Sequence, residues 1–190
     1  MDYISKAFAK VKRAGFVLPD HPGVADLDIA LPIGFGQTIS QPTTVRYMLE
    51  WLEPEPGNKI LDVGSGSGWT TALLANIVGS KGMVYAVELI PELVDFGRDN
   101  CQRLGIKNAR FYEAGSEYGL PRHAPYDRIL VSAAAEEVPQ SLVNQLKAGG
   151  KLVIPVRNDI LVIEKTADGQ LQTDTHPGFI FVPLIDKSRN

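Results

Sequence analysis

Three glycines follow a short apolar run in the stretch "LDVGSGSGWTTALL", residues 61–74, and a helical pattern comes directly after them. Gly64, Gly66 and Gly68 would let the backbone pass close to a ligand and open the following helix. A dinucleotide fingerprint needs a fourth glycine where Trp69 stands, and the Gly-Lys-Ser/Thr ending of a phosphate-binding loop is absent. The turn therefore predicts a bound ligand that has no pyrophosphate.

An acidic residue follows at the spacing that a ribose site requires. The apolar run at 83–89 ends near Glu88, 20 residues after Gly68, and a carboxylate there can accept hydrogen bonds from both ribose hydroxyls. Asp62 adds a second carboxylate two residues before Gly64. Together these residues favour S-adenosylmethionine, a ribose-containing ligand without phosphates. The alternative is that the glycines only form a tight turn and that Glu88 is a solvated strand end.

The elements that must position these residues alternate along the chain. Patterns of period 3.6 and short apolar runs predict an α/β fold, doubly wound around a mostly parallel sheet. Two final strands without an intervening helix predict an antiparallel edge. Helices are predicted at 41–52, 70–78, 91–105 and 139–147, and strands at 59–63, 83–89, 109–114, 127–133, 151–156, 160–166 and 179–185.

We expect one domain over residues 1–190, in three parts. Residues 1–40 form a covering segment and a loop, residues 41–157 the ligand-binding core, and residues 158–190 the antiparallel strands. The proline-rich stretch 16–32 is predicted to be irregular.

Composition excludes several kinds of partner. The net charge of −3 argues against nucleic acid or an anionic membrane surface, and no apolar run is long enough to cross a bilayer. Cys101 is the single cysteine, so no intramolecular disulfide forms, and the three histidines lack metal-ligand spacing. We therefore expect no metal, and a cytoplasmic monomer.

Six segments occur in an order that resembles the protein-L-isoaspartate (D-aspartate) O-methyltransferase family. They are "LPIGFGQTISQP", "LDVGSGSGWTTALLA", "VYAVELIPELV", "APYDRILVSAAAEEVP", "QLKAGGKLVIPV" and "FVPLI", within about 11–185. The resemblance implies a Rossmann-like class I fold and methyl transfer from S-adenosylmethionine, which leaves as S-adenosylhomocysteine. The acceptor would be the α-carboxylate of L-isoaspartyl residues in damaged proteins, so that the reaction serves protein repair. Because a carboxylate with an ordinary pKa of about 4 is ionised at neutral pH, no general base is needed.

The resemblance also implies a set of site residues. Ser40 would be the catalytic serine that positions the acceptor carboxylate, although a serine there could also cap the following helix. The other implied cofactor residues, besides Ser40 itself, are Gln37, Thr38, Ile39, Asp62, Gly64, Ser65, Gly66, Glu88, Leu89, Ser116 and Glu117. The implied substrate residues are Ile33, Gly34, Ser132, Ala133, Ala134 and Ile185.

The chain departs from the family pattern at two places. Ser116 and Glu117 stand where the family commonly has Asp-Gly beside the adenine, which predicts weaker cofactor affinity. Asp26 replaces an aromatic residue near the acceptor side. Two alternatives stay open, the first favoured by Asp26 and the second by Ser116. One is a related carboxylate O-methyltransferase with a different peptide or small-molecule acceptor. The other is a non-catalytic domain that only binds the cofactor.

Overall fold

A computed structural model describes residues 2–19 and 22–185 of the chain. Within these residues a seven-stranded sheet has helices on its faces, and a separate two-stranded hairpin lies beside it. The hairpin strands are β1 (Leu31–Gly34) and β2 (Gln37–Ile39). The sheet strands are β3 (Lys59–Val63), β4 (Met83–Glu88), β5 (Ala109–Glu113), β6 (Tyr126–Val131), β7 (Leu146–Val156), β8 (Asp159–Lys165) and β9 (Leu171–Pro177). The α-helices are α1 (Tyr3–Lys10), α2 (Pro42–Leu52), α3 (Trp69–Val78), α4 (Pro91–Arg103) and α5 (Gln140–Asn144).

The strand order is β5-β4-β3-β6-β7-β8-β9, and the first five strands of that order run parallel. The chain winds in one direction from β3 to β5 and in the other from β6 onward, so the order reverses between β3 and β6. In sheets of this kind, ligands bind outside the carboxyl ends of the strands at the reversal. β8 and β9 pair antiparallel, which confirms the predicted doubly wound α/β fold with an antiparallel edge.

The sheet is buried on both faces, which explains the continuous apolar strands. Ile60 of β3 belongs to the cluster beneath α2 and α3, whereas the next residue, Leu61, belongs to the cluster on the opposite face. Successive side chains of a strand point to opposite faces, so both neighbours must be apolar when both faces are covered. This packing holds the carboxyl ends of β3 and β4 in place.

Several predicted elements differ in extent or position. The strand predicted at 151–156 begins at Leu146, and the strand predicted at 127–133 is β6, Tyr126–Val131. The helix predicted at 139–147 ends at Asn144, because Leu146 pairs with Tyr126 and begins β7. The strand predicted at 179–185 is not a strand, apart from one isolated bridge between Pro183 and Ala134. Pro183 has no N–H to donate to a ladder, and this segment packs apolar side chains on the core instead.

The last strand of the described chain is β9, and its sequence gave no strand signal. It is almost fully exposed and polar, so its side chains show no alternation. The turn before it is closed by backbone hydrogen bonds between Thr166 and Gln170 and between Gly169 and Thr166. Pairing with β8, rather than burial, therefore makes this segment a strand.

Candidate active site

An open cavity lies at the carboxyl ends of the central strands. Ligands of parallel α/β sheets bind at this edge. The cavity wall combines the loops after β3, β4, β5 and β6 with the β1–β2 hairpin and the segment 182–185. The predicted site residues in this wall are Ile33, Gln37, Thr38, Ile39, Ser40, Gly64, Ser65, Gly66, Glu88, Leu89, Ser116, Glu117, Ser132, Ala133 and Ile185. Gly34, Asp62 and Ala134 lie outside the wall.

The glycine loop turns tightly against α4. Gly68 has φ +84°, and a Cβ placed on it would lie 2.8 Å from the carbonyl oxygen of Gly97 in α4. A Cβ on Gly97 would in turn lie 3.0 Å from the carbonyl oxygen of Gly66. Asn100 of α4 also holds the loop, because its side-chain amide donates to the carbonyl of Ser67 at 2.8 Å. Sequence reasoning explained the glycines by ligand approach and by the start of the following helix, and it missed this contact between the loop and α4.

Glu88 anchors the loop from the end of β4. One carboxylate oxygen accepts the N–H of Gly66 at 2.8 Å, and the other accepts the N–H groups of Leu89 and Ile90 at 2.6 and 3.1 Å. The side chain is buried, so the alternative of a solvated strand end is wrong. Two carboxylate oxygens offer about four acceptor sites, and Glu88 therefore keeps acceptor capacity toward the cavity.

Asp62 lies behind the loop and not in the cavity wall. It is fully buried, and its Oδ2 accepts the hydroxyl of Thr71 at 2.6 Å. Its Oδ1 has no hydrogen-bond partner among the described residues. Burial raises the pKa of Asp62 to about 7, against the lowering effect of the Thr71 hydrogen bond and with a smaller contribution from the charge of Glu88.

Arg13 holds the segment that covers the cavity, and sequence reasoning did not assign it a role. Its buried guanidinium donates to the carbonyls of Ala25, Leu27, Ile29, Ile39 and Ser40, at distances between 2.7 and 3.3 Å. Burial lowers its pKa, and the charges of Asp28 and Asp26 oppose this shift. Its partners lie between 12 and 27 residues away in the chain, so no local pattern could have revealed the contact.

The helix after Ser40 is not capped by Ser40. Gln41 precedes α2, and the N–H of Thr43 is accepted by Asp28 of the covering segment at 2.8 Å. Asp28 also accepts the side chains of Thr43 and Gln41, and the Gln41 hydrogen bond makes the largest contribution to lowering the pKa of Asp28. The hydroxyl of Ser40 makes no hydrogen bond to another described residue and lies in the cavity wall. It is therefore available to a ligand.

Ala134 positions the C-terminal wall through its backbone. Its N–H donates to the carbonyl of Val182 at 2.7 Å, and its carbonyl accepts the N–H of Leu184 at 2.8 Å. These two bonds bring residues 182–185 to the cavity, where Ile185 is 42% exposed. Ala134 thus supports the wall without being part of it.

A family model described as protein-L-isoaspartate(D-aspartate) O-methyltransferase matches residues 1–189. The chain belongs to this family. The Aeropyrum pernix protein-L-isoaspartate O-methyltransferase is 48% identical over 187 residues, which cover 96% of this chain and 72% of the relative. The Pyrococcus horikoshii protein of the same name is 46% identical, with 96% of this chain and 84% of the relative covered.

Solved structures of the isoaspartate methyltransferase family have the same fold. One described as a protein-L-isoaspartate O-methyltransferase superposes with a TM-score of 0.89 at 31% identity, and the match covers 97% of this chain and 61% of that chain. A Plasmodium falciparum structure, described as a putative protein-L-isoaspartate O-methyltransferase in complex with S-adenosyl-L-homocysteine, has a TM-score of 0.85 at 26% identity. That match covers 98% of this chain and 92% of the other.

These matches confirm the predicted family, the enzyme class of S-adenosylmethionine-dependent protein carboxyl O-methyltransferases and the cofactor. The cavity fits that cofactor by its own chemistry. The hydroxyl of Ser65 is buried in the wall and has no hydrogen-bond partner among the described residues. Glu88 offers acceptors for ribose hydroxyls, which are donors.

The charged side chains of the cavity wall are acidic. Glu88 and Glu117 are in the wall, but the described lining contains no lysine, arginine or histidine. Across residues 2–19 and 22–185 no group of three or more histidine, cysteine, aspartate or glutamate side chains is placed to hold a metal; His21 lies outside the described residues. Within the same part of the chain, no helix is long and apolar enough to span a bilayer.

Proposed function

We propose that the chain methylates the α-carboxylate of L-isoaspartyl residues in damaged proteins, with Ser40 positioning the acceptor carboxylate. The observation that carries this proposal is the Ser40 hydroxyl, which lies in the cavity wall without a partner among the described residues. A hydroxyl can donate a hydrogen bond to a carboxylate and so orient one oxygen for attack. Family membership supports the choice of acceptor.

We call one side of the cavity the cofactor half and define it by the loop 64–68, Glu88, Leu89, Ser116 and Glu117. S-Adenosylmethionine supplies a methyl carbon on a positively charged sulfur, which keeps the electron pair of the broken bond. Glu88 would accept the ribose hydroxyls, Ser65 would hydrogen-bond to the ligand, and Ser116 and Glu117 would border the adenine. Gln37, Thr38 and Ile39 would lie beside the cofactor from the hairpin, and Asp62 lies behind the loop, bonded to Thr71 of α3.

The opposite side is the acceptor half, defined by the β1–β2 hairpin with Ser40, the residues Ser132 and Ala133, and the segment 182–185. The acceptor carboxylate is already ionised at neutral pH, so these residues need not remove a proton. Ile33 and Ile185 border the acceptor and exclude water from it, while Gly34 forms the hairpin turn and Ala134 holds the C-terminal wall. Because the described wall has no basic side chain, the carboxylate is not neutralised by the protein.

Methyl-labelled S-adenosylmethionine tests this proposal with a pair of peptides that differ only in an L-isoaspartyl or an L-aspartyl residue. We expect base-labile methyl ester in the isoaspartyl peptide alone. Equal label in both peptides would contradict the specificity, and label only in a small carboxylate would favour the alternative acceptor. No label in any acceptor, with the cofactor still bound in calorimetry, would make the chain a non-catalytic binding domain.

The single-domain organisation over 1–190, the monomeric state, the absence of a nucleic-acid partner and the cytoplasmic location stay predictions. The net charge of −3 supports the absence of a nucleic-acid partner. Sedimentation of the purified chain tests the monomer directly.

A further inference from the structure

The tip of the β1–β2 hairpin contains a phenylalanine in a backbone conformation that favours glycine. Gly34, Phe35 and Gly36 have φ values of 92°, 54° and 70° in succession. Glycine adopts such angles freely, whereas the Cβ of Phe35 makes the left-handed region unfavourable for it. A glycine at this position would form the same turn without that strain.

The ring of Phe35 gains nothing for the fold that would offset this strain. Phe35 is 58% exposed, and its ring has no aromatic or cationic partner among the described residues. Among the described residues, the carbonyl of Phe35 accepts a long hydrogen bond of 3.4 Å from the side chain of Gln37. An exposed aromatic ring on a strained backbone points to a role outside the isolated fold.

For two other non-glycine residues with positive φ, contacts within the fold account for the unfavourable backbone conformation. Glu53, at φ 51°, ends α2 through a backbone hydrogen bond to Leu49 and forms an ion pair with Lys151 at 2.7 Å. Arg157, at φ 55°, donates its N–H to the carbonyl of Ala135 at 2.8 Å. Phe35 has no comparable contact.

Phe35 lies in the acceptor half, at the tip of the β1–β2 hairpin. The residues on either side of the tip, Ile33 and Gln37, both line the cavity. Since the described wall offers no cation to an acidic acceptor, affinity for a polypeptide must come from apolar and backbone contacts. Ile185, which is also exposed, supplies one apolar side chain at the wall, and Phe35 supplies a larger exposed one at the tip of the hairpin whose strands line the cavity.

We propose that Phe35 binds the acceptor polypeptide, by packing its ring on an apolar side chain adjacent to the isoaspartyl residue. The proposal rests on the function proposed above, because it needs an isoaspartyl polypeptide as the acceptor. It makes this enzyme prefer isoaspartyl sites with apolar neighbours over sites flanked by glycine.

The test compares isoaspartyl peptides that carry leucine or glycine next to the isoaspartyl residue, with wild type, Phe35→Ala and Phe35→Gly. For wild type we expect KM for the leucine peptide about tenfold below KM for the glycine peptide, which corresponds to about 1.4 kcal/mol. Phe35→Ala should bring this ratio close to one, with kcat within about twofold and the cofactor Kd unchanged. Phe35→Gly should do the same without lowering Tm, because it removes the strain at the turn.

Leu171→Ala is the matched control, because Leu171 is 47% exposed at the start of β9 and lies outside the cavity wall. It should keep the tenfold KM ratio. An active wild type whose ratio is one, or a ratio that survives Phe35→Ala, overturns this proposal and leaves the proposed function intact. A wild type that methylates no isoaspartyl peptide overturns both.

Discussion

The cofactor half and the acceptor half of the cavity are held together in different ways. In the cofactor half, backbone groups of neighbouring elements bond directly to the loop, as when Gly64 donates to the carbonyl of Val87 at 2.8 Å. Glu88 accepts three further N–H groups there. In the acceptor half, single side chains join distant segments on the hairpin side, namely Arg13 to five carbonyls and Asp28 to the start of α2. Backbone bonds of Ala134 hold the C-terminal wall of that half.

Because of this difference, a substitution should affect the stability of the two halves to different degrees. Many short backbone bonds give the cofactor half redundancy, so a single substitution there should weaken ligand contacts more than the framework. The hairpin side of the acceptor half depends on a few side chains, and the loss of Arg13 leaves five carbonyls without that donor, two of them in buried hydrogen bonds. The two halves should therefore separate in experiments that measure cofactor binding, methyl transfer and stability independently.

Arg13→Met should have the largest effect. Removing the guanidinium takes the donor from the buried carbonyls of Ala25 and Ile39 and from three partly buried carbonyls. We expect a loss of about 3 kcal/mol or more in the free energy of unfolding. Methyl transfer should fall by about 100-fold or more, and the cofactor Kd should change by less than about fivefold. Urea unfolding, turnover and calorimetry measure the three quantities.

Arg110→Met is the control for that substitution, because Arg110 is exposed on β5 and bonds only to nearby carbonyls. It should change stability by less than about 0.5 kcal/mol. Equal weakening of cofactor binding and methyl transfer in Arg13→Met would show that the two halves do not separate.

Glu88→Gln should have the opposite pattern to Arg13→Met, because it should weaken cofactor binding. The amide keeps one acceptor oxygen but loses the charge that strengthens hydrogen bonds, so we expect the cofactor Kd to rise by about 100-fold, or about 2.7 kcal/mol. Calorimetric titration with S-adenosylhomocysteine measures this. Glu92→Gln, an exposed position in the first turn of α4, is the matched control and should bind normally. A Kd within threefold of wild type would mean that Glu88 serves the loop alone.

Ser40→Ala should lower turnover without affecting the structure of either half of the cavity. Because the hydroxyl makes no hydrogen bond within the described residues, Tm and the cofactor Kd should stay at wild-type values. Losing one orienting donor should reduce kcat by about 50-fold. The exposed Ser80→Ala provides the comparison, with unchanged kinetics expected. An unaltered kcat in Ser40→Ala would remove the catalytic role.

Asp62 makes the stability of the cofactor half depend on pH. Its pKa is about 7 in the folded chain and about 4 in the unfolded chain, so the folded chain holds a proton between these values that the unfolded chain has released. The free energy of unfolding should therefore fall by about 2 kcal/mol from pH 5 to pH 8, and level off above pH 8. Asp62→Asn mimics the protonated form and should remove this decline in chemical unfolding. If the free energy of unfolding of Asp62→Asn still falls with pH, other titratable groups cause the decline.

Ser116→Asp is expected to have the smallest effect. A carboxylate near the adenine amino group would add one charge-assisted hydrogen bond at a solvent-exposed position, so the cofactor Kd should fall by about fivefold. Ser116→Asn separates charge from shape and should give less than half of that gain. If neither variant binds more tightly, Ser116 does not limit affinity.

The regular core could be predicted closely from sequence. The predicted strands at 59–63, 83–89 and 109–114 match β3, β4 and β5 to within one residue at each end. Their apolar runs are long enough to be unambiguous, and the glycines mark where each element turns. The polar strand β9 was missed because it is defined by pairing rather than burial. The hairpin β1–β2 was missed because its strands are short, although Leu31, Ile33 and Ile39 are buried in the core.

In the candidate site, too, some features could be predicted from the sequence and others could not. The positions of Glu88 and the glycine loop follow from their spacing after strands whose ends must meet at one edge of the sheet. The cap of α2 was assigned to Ser40 from local preference, but Asp28 makes the hydrogen bond from 15 residues away. A side chain that reaches across such a separation leaves no periodic signal in the sequence.

By itself, the sequence determined the parallel sheet, the ligand-binding edge and the family, because period, glycine spacing and motif order are local properties of the chain. Only the tertiary structure decided that Arg13 and Asp28 hold the acceptor half, that Asp62 lies buried behind the loop, and that Phe35 is exposed at a strained turn. Each of these depends on which distant backbone groups come into contact. Burial and hydrogen bonding across such distances are set by the packing of the whole chain.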